Sequence, residues 1–105
     1  MLFTQHNAWV HGIATLAVLG LGLLLPLTAV EWSVIAVVIV SVWTAEALNT
    51  ALELLCDVAS PGFHPLVEKA KDVAAGAVLI TALGAVGVAT LIFGPHLLAL
   101  LSSPT

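Results

Sequence analysis

The chain has 105 residues, of which 61% are hydrophobic and 8% charged, against roughly 25% charged in ordinary soluble domains. Six acids and two lysines leave a formal net charge of -4 with no arginine, so there is no basic footprint for nucleic acid. The single cysteine, Cys56, can form neither an internal disulfide nor a zinc site and reads as a small buried filler.

The N-terminal MLFTQHNAWVHG carries no Lys or Arg to make a signal-peptide n-region, and no clean small-x-small cleavage site follows near Ala29. The first apolar segment is therefore expected to stay in the mature protein. It runs from about Trp9 to Leu27, the second from about Trp32 to Leu55 and the third from about Val73 to Phe93. Each covers about 30 Å of hydrocarbon at 1.5 Å per residue. The prediction is a single all-α integral membrane domain over residues 1–105, with three transmembrane helices.

Trp9 and Trp32 fall at span ends, where aromatic belts sit, while Trp43 falls mid-span as a packing residue. The first hairpin is tight, with only Pro26 to Glu31 available. A cytoplasmic loop is expected at about 58–70, where Ser60-Pro61-Gly62 breaks the chain and Pro65 opens the next helix with Glu68 near its positive end. Lys69 and Lys71 assign this loop, and with it the N-terminus, to the cytoplasm. Gly94-Pro95 is expected to end or kink the third helix, and His96 reads as an interface residue. Ala77, Thr81, Ala85 and Ala89 recur every four residues, a small-residue face that admits a close helix or is plain helix filler.

The chemistry lies in TAEALNTALELLCD. Glu46, Asn49, Glu53 and Asp57 fall within an arc of roughly 80° on an otherwise apolar helix. Glu46 lies inside the membrane on this reading, Glu53 at its boundary and Asp57 in water. A charged carboxyl at membrane depth costs between about 3 and more than 10 kcal/mol, so it is seldom present without a use. Taken out of water it is also a keener proton acceptor than an exposed glutamate. The alternative is a protonated Glu46 that hydrogen-bonds between helices, as Asn49 would. On the next helix Glu68, Lys71 and Asp72 share a face. Carboxylates with a Lys and an Asp at the inner surface suit a divalent cation and an anionic phosphate donor, or else form a solvated charge cluster. No Walker A sequence, kinase Gly-rich loop, GxSxG or HExxH is present.

The stretch EALNTALELLCDVASPGFHPLVEKAKDVAAGAVLI, about a third of the chain, resembles the prokaryotic diacylglycerol kinase and undecaprenol kinase family. The shared pattern is E-x-x-N-T-A-x-E, then D, then S-P-x-x-H-P-L, then A-K-D-x-A-A-G-A-V-L-L, with HPLVEKAKDVAAGAVLI closest to the undecaprenol branch. The resemblance implies a homotrimer in the bacterial inner membrane that moves the γ-phosphate of ATP, with Mg²⁺, to a lipid alcohol such as undecaprenol or diacylglycerol. Glu46 matches the family's catalytic base and Asn49 the Asn that supports it. Glu53 matches a metal-binding glutamate, Lys71 and Asp72 a Lys-Asp pair that contacts the nucleotide, and Gly62, Phe63 and His64 a turn that touches ATP. Gln5-His6-Asn7 stands where the family has a Glu-Arg-Asn-like motif. Gln5 thus takes the place of a second metal ligand, with a carbonyl oxygen but no charge, which implies weaker hold on metal and ATP. His11 matches a His common in the undecaprenol branch. Three short helices scarcely enclose such a stripe and two substrates, which gives the trimer a physical motive. The competing expectation is a non-catalytic trimeric scaffold of the same fold that binds lipid or a partner protein.

Overall fold

The computed structural model describes the backbone of residues 2–102 and the side chains of residues 8–102. Gln5 and His6 lie outside the described side chains. Three helices follow one another, α1 (Leu2–Leu24), α2 (Ala29–Ala59) and α3 (Pro65–Ser102), so the described chain is all-α as expected. They run up, down and up: Thr15 of α1 meets Trp43 of α2, and Glu31 at the start of α2 meets His96 near the end of α3. The body measures 64 × 21 × 19 Å. Its long axis is set by the 38-residue α3, about 57 Å at 1.5 Å per residue.

Local chemistry explains the breaks. Thr28 is the N-cap of α2 in a reciprocal capping box: its hydroxyl accepts from the Glu31 N–H at 3.1 Å, and the Glu31 carboxylate accepts from the Thr28 N–H at 2.9 Å. α2 ends where the Ser60 N–H closes on the Cys56 carbonyl at 2.8 Å, ahead of Pro61 and Gly62. Pro65 then occupies the first position of α3, where its missing N–H costs nothing. Only residues 60–64 lie between the two helices, because Pro65-Leu66-Val67-Glu68 already forms the first turn of α3.

The helix does not end at Gly94-Pro95. Pro95 lies inside α3, which continues to Ser102 through the helix-forming run HLLALLS. Loss of the one N–H at Pro95 is tolerable where the residues on both sides keep their own ladder bonds.

α2 and α3 are long and apolar enough to cross a membrane, while the apolar part of α1, Ala8–Leu24, is shorter. Large side chains such as Leu23, Val37, Leu48, Ile80, Leu83 and Leu91 are more than half exposed, far more apolar surface than water tolerates on a monomer. The hydroxyls among them are matched to the same setting. Ser33, Ser41, Thr50 and Thr90 each donate to the carbonyl four residues back on their own helix, so none offers an unpaired donor to an apolar solvent.

α3 packs along α2 more extensively than α1 does. At the end nearest the α1–α2 turn, Leu25, Ile35, Ile92 and Phe93 form a buried cluster, with Trp32 and Leu21 packed against it. Gly22 permits this closure: a Cβ there would stand 2.7 Å from the Trp32 ring. Of the small-residue face, Thr81, Ala85 and Ala89 are half-buried and Ala77 is exposed.

Candidate functional site

The buried residues of α2 are Ile35, Val42, Glu46, Asn49 and Cys56, with Ile39 and Glu53 half-buried between them. Their separations alternate between four and three, the spacing of a helix seam held against neighbours along its whole length. Glu46 and Asn49 thus occupy positions that the pattern reserves for core residues. Glu46 is 3% exposed and Asn49 5%. Asp57 is exposed, because the seam passes through Cys56 at this turn.

Neither carboxylate oxygen of Glu46 has a hydrogen-bond partner, nor does the Asn49 side-chain carbonyl oxygen. A buried polar group left unpaired costs about 1–3 kcal/mol and more if charged, so three such oxygens within one helical turn call for an explanation. A carboxylate with open lone pairs is equipped to accept a proton from an incoming hydroxyl.

Glu46 does have a neighbour. His11 Nε2 of α1 stands 3.6 Å from Glu46 Oε2, with the His11 side chain 13% exposed. The His11 ring meets the Trp43 ring edge-on, with centroids 6.1 Å apart and planes at 65°. The Trp43 indole N–H donates to Thr15 Oγ1 at 3.0 Å, and the Thr15 hydroxyl donates to the His11 carbonyl at 2.7 Å. Trp43, expected as a packing residue, is 37% exposed and touches α1 through the His11 ring and this one polar tie.

Beside this group opens a cavity of about 290 Å³ between the helices, lined by residues such as His11, Thr15, Ile39, Val42, Ala85 and Ala89. His11 and Thr15 supply its polar side chains, and the rest of the wall is aliphatic or aromatic. That lining suits hydrocarbon.

The other expected residues cluster toward the α2–α3 connection. Glu53 is half-buried on the Glu46–Asn49 seam, one turn further on. Lys71 Nζ lies 3.9 Å from Glu68 Oε2 on its own helix, a long and partly exposed pair, and Asp72 is exposed. Gly62, Phe63 and His64 sit in the exposed connection, with Phe63 82% exposed. His64 also caps α3: its Nδ1 accepts from the Leu66 N–H at 3.2 Å, and its carbonyl accepts from the Glu68 N–H at 3.0 Å. Among the described residues no group of three or more His, Cys, Asp or Glu side chains gathers to hold a metal. Glu53 and Asn49 share the buried face of α2.

Two residues outgrew their sequence reading. His11 and His96 were expected at interfaces, yet His11 approaches Glu46, and His96 Nε2 stands 3.1 and 3.2 Å from the two carboxylate oxygens of Glu31. The His11 signal was its four-residue spacing from Thr15; nothing local links it to Glu46.

Residues 1–93 match the family model for prokaryotic diacylglycerol kinase. The chain is 40% identical over 94 residues to an undecaprenol kinase of Bacillus subtilis, an alignment spanning 90% of this chain and 76% of that protein. It is also 40% identical over 99 residues to a diacylglycerol kinase of Synechocystis, spanning 93% of this chain and 57% of that protein. No solved structure matches it. By the extent of these matches the chain belongs to the prokaryotic diacylglycerol kinase family, whose named relatives are lipid kinases.

Proposed function

We propose that the protein is an ATP-dependent lipid kinase of the inner membrane, a homotrimer of three-span chains with its N-terminus and α2–α3 connection in the cytoplasm. The observation that carries this reading is Glu46, a glutamate 3% exposed on the α2 seam with both carboxylate oxygens unpartnered. The acceptor is a long-chain alcohol, undecaprenol or diacylglycerol, as in the names of the two relatives. Its hydrocarbon lies in the apolar cavity beside His11 and its hydroxyl reaches Glu46.

The Glu46 carboxylate accepts the hydroxyl proton as the alcohol oxygen bonds to the γ-phosphorus of ATP. The bond from that phosphorus to the bridging oxygen breaks, and ADP leaves with the electron pair. Asn49, one turn from Glu46, orients the reacting hydroxyl or a phosphate oxygen. Glu53 would hold Mg²⁺, with Gln5 as the second ligand that the family pattern implies, and the ion would supply positive charge to the phosphates. Lys71 and Asp72, with the Gly62-Phe63-His64 turn, hold the nucleotide. In an apolar setting each of these charges acts more strongly than in water.

Mg²⁺-dependent nucleotide binding, measured by titration calorimetry on the purified protein, tests this assignment. Glu46→Gln is expected to leave ATP binding near normal, because the base touches the alcohol. Glu53→Ala is expected to weaken it by at least tenfold, about 1.4 kcal/mol. Equal loss in both variants contradicts the division of labour, and a wild-type protein that binds no nucleotide favours the non-catalytic scaffold.

A further inference from the structure

We propose that His11 is the positioning residue for Glu46: held by a Thr15–Trp43 clasp, it fixes the carboxylate in the orientation that receives the lipid hydroxyl. The inference rests on the kinase reading above and extends it to a residue on a different helix from the base.

The geometry is as follows. The Glu46 side chain comes from α2 and is buried, so its direction depends on what stands opposite. Thr50 cannot hold it, since the Thr50 hydroxyl is engaged with the Glu46 backbone carbonyl at 2.9 Å. α3 offers nothing in the adjoining cavity, where its residues include Ala82, Ala85, Val86 and Ala89 and no ionisable side chain. α1 supplies His11, whose Nε2 is 3.6 Å from Oε2. That is beyond a good hydrogen bond and within reach of one after a small closure, as is common for catalytic contacts before substrate arrives.

The clasp fixes the His11 backbone and sets one aromatic ring against its imidazole. Thr15, one turn along α1, donates to the His11 carbonyl and accepts from the Trp43 indole N–H. This ties α1 to α2 and sets the Trp43 ring edge-on against the imidazole at 6.1 Å. Trp43 in turn lies three residues before Glu46 on α2, one turn away on the same side of the helix. The clasp therefore closes a loop from Glu46 through α2 to Trp43, across to Thr15, along α1 to His11 and back to Glu46. Occupation of Oε2 by His11 leaves Oε1 open for the hydroxyl proton.

The test is steady-state kinetics on the wild type, His11→Ala, His11→Gln, Glu46→Gln and the double variant His11→Ala with Glu46→Gln. His11→Ala is expected to lower kcat roughly tenfold to a hundredfold with KM for ATP unchanged, the scale of a misplaced reacting group. His11→Gln, which keeps an N–H donor, is expected to recover part of that loss. In the Glu46→Gln background the removal of His11 is expected to cost nothing more, since there is no carboxylate left to orient. The same fold-loss with and without Glu46, or a rise in KM alone, overturns the proposal. Nitrogen chemical shifts of the His11 ring in the wild type and in Glu46→Gln give a readout independent of turnover. If the wild type phosphorylates no lipid, the kinase reading fails by itself; a His11 shift that moves on Glu46→Gln still supports the pairing, and one that stays unchanged overturns it.

Discussion

The replacement Glu46→Gln separates a functional glutamate from a structural one, because the two roles predict opposite changes in stability. Gln has nearly the same shape and volume, so packing on the α2 seam is preserved. In the wild type the carboxyl is 3% exposed, with both oxygens unpartnered and one imidazole 3.6 Å away. An unsatisfied buried polar group costs about 1–3 kcal/mol, and a charge costs more. Gln presents no group that can ionise, leaves an amide that is also incompletely paired, and forfeits the attraction of His11. The net expectation is a stabilisation on the order of 1 kcal/mol. Turnover moves the other way: loss of a general base lowers kcat by roughly 10²–10⁴, about 3–5 kcal/mol of barrier. Thermal unfolding followed by circular dichroism in one detergent, beside lipid phosphorylation on the same preparations, reads both changes. A variant that melts clearly below the wild type refutes the reasoning, since Glu46 would then be a bridge that holds the helices together.

Gly22→Ala places a methyl 2.7 Å from the Trp32 ring and is expected to lower stability by about 1–3 kcal/mol, with little change in kcat, read from melting and turnover. Thr28→Ala removes the hydroxyl half of the capping box and is expected to cost about 1 kcal/mol, again by thermal melting. Trp43→Phe keeps a ring beside His11 but deletes the indole N–H to Thr15; kcat is expected to fall less than in His11→Ala, and an equal fall would show that the clasp matters as much as the imidazole.

Most of the helical plan was legible in the sequence, since apolar runs of this length leave few alternatives and the breaks carry their own markers. Ser60-Pro61-Gly62 and Pro65 are local signals, and each acts locally in the structure; the Thr28–Glu31 capping box emerges only there. The inward stripe was legible as far as Glu53. Asp57, expected in water, is exposed, as the alternation of four and three residues carries the buried seam through Cys56 instead. At Gly94-Pro95 the sequence admits an end or a kink, and α3 continues to Ser102, which sets the end aside. The ties from His11 to Glu46, Trp43 to Thr15 and His96 to Glu31 join residues far apart in the chain. They follow from how α1 and α3 rest on α2, which no local pattern encodes. At the α2–α3 connection the family motif marks residues that one chain leaves exposed, among them Phe63, His64 and Asp72.

The proposed reaction is phosphorylation of a lipid alcohol with Glu46 as the base. Its most direct test is the transfer of labelled γ-phosphate from ATP by the purified protein with Mg²⁺ in bicelles, comparing undecaprenol, diacylglycerol and no added lipid, with Glu46→Gln as control. A labelled lipid product that requires both an alcohol and Glu46 is expected. Wild-type protein that labels no lipid, or a Glu46→Gln variant that labels it at the wild-type rate, would contradict it.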